Sequence, residues 1–448
     1  MLKRMFIGVC LMALAWVISA EESGLEEFIV ISKAPKKARI AIPSFRLEFQ
    51  SEEGFGLGEE LSGLLGKDLT RSGFFELVPR PSYLKPAPAQ GEDEDWQAWS
   101  MLNTQAVARG ELVELGPDQY QLTLKLFDTA TRKMAVGKSY KGSRTSLRRM
   151  VHRFADETIE WLTGRRGGFE SRLAFVSSKS GRKEIFVSDS DGFSPAQLSN
   201  TRKLNLSPAW LSGSSLYFVG YDRANPDLYL LDIFSKEKKL VSSQPGLNIS
   251  PAVGPAGKKL AAALESPGEN LDLYILNPDG SRPLRVTSHP AADLEPAWSP
   301  DGHYLAFVSD RSGAPQIYMI DLYQGAESAG NKPVRLTTQG SYNTSPAWSP
   351  DGRYLAYTRR VGNQFDLYLI DFQGASGRTE IQLTSTPYNE EDPSWSPDGR
   401  MLVYSSNKNG NYDIFEISIF SKEPMQITDW PSDETQPSWS PSLYEKGG

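Results

Sequence analysis

The chain has 448 residues, more than one hydrophobic core usually serves, so two or three domains are expected. It is 39% hydrophobic and 23% charged, with 30 Pro and 38 Gly among many aromatics, which argues for turn-rich β structure and against a disordered chain. A formal net charge of −7, with no basic stripe interleaved with aromatics, argues against a general nucleic-acid binder.

Residues 1–20 read as a cleavable signal peptide. Lys3 and Arg4 are positive, Met5 to Ile18 is apolar, and Ile18-Ser19-Ala20 offers a small-residue cleavage site. The apolar run is short for a membrane span, so no integral membrane segment is expected in the mature chain. Loss of these two positive charges takes the formal charge from −7 to −9. The single cysteine, Cys10, leaves with the signal. The exported protein then has no disulfide, no thiolate metal site and no cysteine nucleophile.

Residues 21–165 read as a small α/β domain. Phe28 to Ile31 and Ala38 to Phe45 are strand candidates. Leu57, Leu61, Leu64, Leu65 and Leu69 recur at helical spacing, and Gly73 is a stop signal. Phe74 to Val78 returns as a strand and residues 79–91 as a loop. Glu92 to Asp95, four acids in a row before Trp96 and Trp99, suit a helix N-terminus, where carboxylates favour the dipole. Three alternating strands follow, at Thr104 to Glu114, Gln119 to Phe127 and Met134 to Tyr140. Ser146 to Leu162 is a helix with Met150, Val151, Phe154, Thr158 and Trp161 near one face, ended by Gly164. His152 on that helix has only Asp156 at i+4, which reads as a packed or surface histidine.

From residue 166 to 448 the chain repeats. Six proline-anchored segments centre on Trp210, Val253, Trp298, Trp348, Trp395 and Trp439, spaced 43, 45, 50, 47 and 44 residues apart. Periods of this length signal a propeller. Three further strand motifs recur six times each, beginning at Leu173, Ile185 and Gln197 in the first repeat. The expected fold is therefore an all-β six-bladed propeller of WD40-like repeats. The first blade lacks a leading PxW strand and the last PSWSP lacks followers, so the C-terminal strand closes the ring and removes the exposed edges. The SPDG turns and the tryptophans read as structural, serving turn geometry and inter-blade packing. The blade carrying Val253 and Leu260 to Ala263 is degenerate and is expected to pack less tightly.

The stretch RRMVHRFADETIEWLTGRRGGFESRLAFVS, Arg148 to Ser177, resembles the hinge between helix and propeller in TolB-family proteins, periplasmic components of the Tol-Pal system. The order of signal peptide, small α/β domain, six-bladed propeller and a final PSWSPSL is similar too. The resemblance implies a non-catalytic, monomeric protein of the periplasm that supports outer-membrane integrity and cell division. It implies a Pal-like lipoprotein held at one propeller mouth. It also implies a TolA-like inner-membrane protein engaged by the mature N-terminus, here Glu21-Glu22-Ser23-Gly24-Leu25-Glu26-Glu27-Phe28-Ile29-Val30-Ile31-Ser32.

Loops entering equivalent strands of a propeller all emerge at one mouth. Those before PxW carry Asn205; Asn248 and Ile249; Asp293, Leu294 and Glu295; Tyr342, Asn343 and Thr344; Asn389 and Glu391; and Asp433, Glu434 and Thr435. A rim rich in Asn and acids suits a partner with basic or amide groups. No cofactor is expected, although channel acids could hold a cation such as Ca²⁺. The alternatives are a propeller enzyme, with Glu295 or Glu391 and Asp433 as carboxylates, and a glycan-binding propeller acting on envelope sugars. No G-x-S-x-G elbow is present, and only His152, His289 and His303 are available as imidazoles.

Overall fold

The computed structural model describes residues 37–48, 56–84, 95–201, 203–265, 270–327, 330–374 and 377–443. The expected signal and the segment 21–32, with its strand, lie outside the described residues.

The first domain is the expected α/β unit. Its elements are β1 (Ala38–Ala41), β2 (Arg46–Leu47), α1 (Leu57–Arg71), β3 (Phe75–Leu77), α2 (Trp96–Met101), β4 (Ala106–Gly116), β5 (Gln119–Asp128), β6 (Met134–Gly142) and α3 (Leu147–Thr163). One sheet runs β3-β1-β4-β5-β6, with β2 paired to β4. The leucine stripe of α1 is buried on it, as its 3.6-residue period requires. Asp95 caps α2 by accepting the Ala98 N–H at 3.0 Å, the bland role expected for that acid. Gly164 ends α3 at φ 74°, where a Cβ would be strained. The buried face of α3 is Met150, Val151, Phe154, Ala155, Thr158 and Ile159. Trp161, expected on that face, is 39% exposed instead, because the helix turns it away from the sheet.

The second domain has six four-stranded blades. Blade 1 takes its innermost strand, Glu434–Trp439, from the C-terminus and pairs it with Arg172–Ser177, then Glu184–Asp189 and Ala196–Gln197, so the ring closes as the repeat phase requires. Blades 2 to 6 begin with Asn205–Ser212, Asn248–Val253, Asp293–Trp298, Asn343–Trp348 and Glu390–Trp395. The segments read as loops before PxW are therefore the first halves of these innermost strands. In the turn after Trp348, Ser349 Oγ donates to Asp351 Oδ1 at 2.7 Å and accepts the Tyr354 N–H at 2.9 Å. The indole N–H groups of Trp210, Trp298 and Trp395 donate to the Ser438, Ala252 and Ala347 carbonyls of the preceding blades. Both features are structural, as read. In the Val253 blade Leu260–Glu265 pairs along its whole length with Leu271–Leu276, and Ala261, Ala262 and Ala263 are fully buried. The small side chains are covered by the flanking blades.

The two domains share one apolar core. Leu61, Leu65 and Phe154 join Leu173, Phe175, Met401, Ile414 and Trp439 of blades 1 and 6 in a single cluster.

Candidate functional site

Strands alternate in direction within a blade, so each propeller has two distinct faces. The SPDG turns and the connections from third to fourth strands lie on one. The α/β domain covers that face: Arg165 pairs with Asp351 at 3.3 Å, Lys37 with Glu423 at 3.3 Å, and Arg400 donates to Thr163 at 2.7 Å. The opposite mouth is formed by the entries to the innermost strands and by the turns between second and third strands.

Seven of the fourteen sequence-predicted rim residues are withdrawn from that mouth. Asn205, Asn248, Asp293, Asn343 and Glu434 are fully buried. Asn205 donates to Glu184 at 2.7 Å, Asn343 to Gln316 at 2.8 Å, and Asn248 accepts from Ser242 at 2.7 Å. Asp293 is bound by Arg311 at 2.9 Å, and Glu434 accepts from Ser177 at 2.7 Å. Each of these groups ties the start of an innermost strand to its neighbours, as burial of a polar group favours, although Asn205 Oδ1 and Glu434 Oε2 have no hydrogen-bond partner among the described residues. Ile249 and Leu294 pack between blades. Thr344 and Thr435 are ladder partners of Thr358 and Val176. The expectation of a rim is corrected for the five buried residues and for Ile249 and Leu294, while the side chains of Thr344 and Thr435 stay partly exposed.

At the mouth are Tyr342, Asn389, Glu391 and Asp433 beside Tyr388, joined by Phe365 and Tyr412, which the sequence reading missed. Tyr342 and Tyr388 are 36% and 37% exposed. Phe365 stands edge-on to Tyr342 at 5.9 Å. Asn389 accepts the Phe365 N–H at 3.2 Å and donates to the Tyr412 hydroxyl at 3.1 Å, while Asp433 accepts the Tyr412 N–H at 3.1 Å. Phe365 lies at the start of the third strand Gln364–Asp371 and Tyr412 just before the third strand Asp413–Ser418, immediately preceding DLYL and DIFE respectively. An aromatic preceding those repeated strands was the available signal.

The channel itself is lined by a ring that no single repeat announces. The residue before each PxW proline has positive φ: Ser207 52°, Ser250 54°, Glu295 50°, Ser345 52°, Asp392 56° and Gln436 51°. Each sits at a bulge in the pairing of innermost and second strands. A non-glycine residue there costs about 1–2 kcal/mol. Bonds between blades offset this. Glu295 accepts the Ser345 N–H at 2.7 Å, and Gln436 accepts the Ser207 N–H at 2.9 Å. Ser345 Oγ donates to Asp392 at 3.0 Å.

Glu295, Glu391 and Asp392 form no ion pair among the described residues, and the Lys183 charge acts on Asp392 without offsetting its burial. Burial first, and then the Asp392 charge, pushes Glu295 up to about 7 against the opposing Ser345 N–H bond. Burial and Asp392 likewise push Glu391 up to about 7. Burial also raises Asp392. Glu295 and Asp392, both reaching Ser345, are the channel residues that could hold a cation, although their bonded oxygens are already engaged by it.

The family model described as the TolB amino-terminal domain matches residues 29–135, and that of the TolB beta propeller domain matches residues 159–443. The Tol-Pal system protein TolB of Desulfosudis oleivorans is 34% identical over 237 residues, covering 52% of this chain and 54% of its own. That of Xanthomonas euvesicatoria pv. vesicatoria is 32% identical over 234 residues, covering 51% and 52%. The chain thus spans about half the length of the curated relatives it matches. The crystal structure of TolB from Acinetobacter baumannii superposes with a TM-score of 0.78 at 26% identity, over 92% of this chain and 98% of that one. No helix among the described residues is long and apolar enough to cross a membrane.

Proposed function

The chain belongs to the TolB family, and on that premise we propose that it is a non-catalytic periplasmic component of the Tol-Pal system. It docks the peptidoglycan-associated lipoprotein Pal at the propeller mouth facing away from the α/β domain. Residues 21–32 link it to TolA, and the complex supports outer-membrane integrity and cell division. The observation that carries the docking site is the acid group of Glu295, Glu391 and Asp392, which forms no ion pair among the described residues, together with exposed Tyr342 and Tyr388. Such a group is built to accept a lysine, arginine or amide from a partner, with tyrosines supplying rigid contact area around it. The TolA link rests on the family resemblance alone.

Titration calorimetry of the mature protein with a soluble Pal ectodomain tests the reading. Tyr342→Ala and Glu391→Gln are each expected to weaken binding at least tenfold, about 1.4 kcal/mol, with thermal stability unchanged. Absence of binding, or binding indifferent to both substitutions, overturns the assignment. Hydrolysis of a sugar or peptide library by the purified protein overturns the non-catalytic reading.

A further inference from the structure

The α3 histidine ends in a nitrogen that the partner reading leaves unused. His152 is 3% exposed, and its Nδ1 lies 2.7 Å from Asp68 Oδ2 on α1. Its Nε2 has no hydrogen-bond partner among the described residues. A buried imidazole nitrogen left unpaired is uncommon and points to an occupant. Facing this histidine, across the domain boundary, are Asp189 and Asp191 at the end of the third strand of blade 1. A ring nitrogen of His152 and one carboxylate oxygen from each aspartate lie within 4.8 Å of one another.

We propose that His152, Asp189 and Asp191 form a divalent-metal site of the zinc class that clasps the α/β domain to the first blade. Asp68 supplies the support such a ligand needs. By accepting Nδ1–H it fixes the tautomer and leaves the Nε2 lone pair free, the arrangement that metal-ligating histidines commonly show. One imidazole and two carboxylates form a borderline donor set. It suits Zn²⁺ and its neighbours over Mg²⁺ or Ca²⁺, which prefer all-oxygen shells, and over Cu⁺, which prefers thiolates. Donor atoms around a tetrahedral zinc sit about 3.4 Å apart, so the carboxylates close inward by about 1 Å on binding.

The surroundings allow this. A surface cleft of about 380 Å³, lined by Lys67, Arg148, Asp191 and Phe193 among others, gives an entry path. Arg148 holds Asp191 Oδ2 at 2.6 Å and Lys67 lies 3.9 Å from it, while Oδ1 accepts the Phe193 N–H at 3.1 Å and Arg71 donates to the Ser190 carbonyl at 3.0 Å. These cations position the Asp189–Asp191 turn and balance its charge before an ion arrives. Solvent completes the shell, because the three protein donors leave a position open toward the cleft.

Mature protein stripped with a chelator and then titrated with ZnCl2 tests the site by calorimetry, with CoCl2 absorption as a second readout. One ion per chain is expected, with a visible Co²⁺ band and a rise in melting temperature on adding Zn²⁺. Asp189→Asn should weaken binding at least tenfold while leaving the metal-free melting temperature unchanged, since the Asp189 carboxylate accepts no hydrogen bond among the described residues. His152→Gln should abolish binding. If that variant does not fold, Asp189→Asn and Asp191→Asn carry the test. No binding by the stripped wild type, or equal binding by the aspartate variants, overturns the proposal and leaves a water or a protonated imidazole in the gap. Either result is independent of Pal docking, which is read at the opposite end of the propeller.

Discussion

A buried ion pair links the two domains, and its removal should behave asymmetrically. Arg71 on α1 donates from Nε and Nη2 to both Glu416 oxygens of blade 6, at 2.7 and 2.6 Å, and lies 3.4 Å from Asp68. The two side chains are 1% and 4% exposed. Burial works against the guanidinium charge, but Glu416, Asp68 and Asp191 more than offset it and hold Arg71 above its ordinary value. Arg71→Met strands the Glu416 carboxylate in an apolar interface, and breaking a buried pair from one side costs about 3–5 kcal/mol. Arg71→Met combined with Glu416→Met removes both charges and keeps most of the volume. It should cost clearly less than the sum of the singles, because desolvation of the pair consumes most of its attraction, leaving the loss of Arg71 from Asp68 and the Ser190 carbonyl as the residual cost. The cycle, completed with Glu416→Met and read by urea unfolding, should therefore give a coupling energy of at least about 2 kcal/mol. A single Arg71→Met costing under about 1 kcal/mol, or a double variant costing the sum of the singles, would refute this account of the interface.

Three further outcomes are expected. Glu295 and Glu391, raised to about 7, bind protons more tightly folded than unfolded. Stability contributed by these groups therefore falls as pH rises from about 4.5 toward 7, and Glu295→Gln should flatten the dependence of the urea midpoint on pH in that window. Gly58→Ala on α1 would drive its Cβ into the Phe45 carbonyl oxygen and should cost about 1–3 kcal/mol by thermal melting, although alanine is the better helix former. Trp395→Phe deletes the indole bond to Ala347 at 2.9 Å and should cost about 1 kcal/mol without changing affinity for Pal, since the indole packs between blades. A loss of binding by a stably folded Trp395→Phe would contradict that placement.

Much of the architecture is written locally. Ser349-Pro350-Asp351-Gly352 specifies its turn through its own side chains, and Trp348 marks the end of the strand before it, so six copies can be counted and their phase read without any tertiary information. The amphipathic period of α1 and α3 is equally local, although on α3 it pointed to Trp161 where Ile159 is the buried residue. The site was legible only in part. Tyr342, Asn389, Glu391 and Asp433 do reach the mouth, but Asn205, Asn248, Asp293, Asn343 and Glu434 look the same in sequence and are buried.

The sequence by itself determined the α/β domain, the six blades and the closure of the ring by the last strand, because turn chemistry and hydrophobic period act between residues close in the chain. Only the tertiary structure decided which polar groups are spent on holding blades together. The partner of Asn343 is Gln316 and that of Asn205 is Glu184, each supplied by the preceding blade. It also decided the surroundings of His152, whose neighbours Asp68 and Asp189 lie on another helix and in another domain. Burial and pairing depend on what a fold brings together from far along the chain, and no local pattern records that.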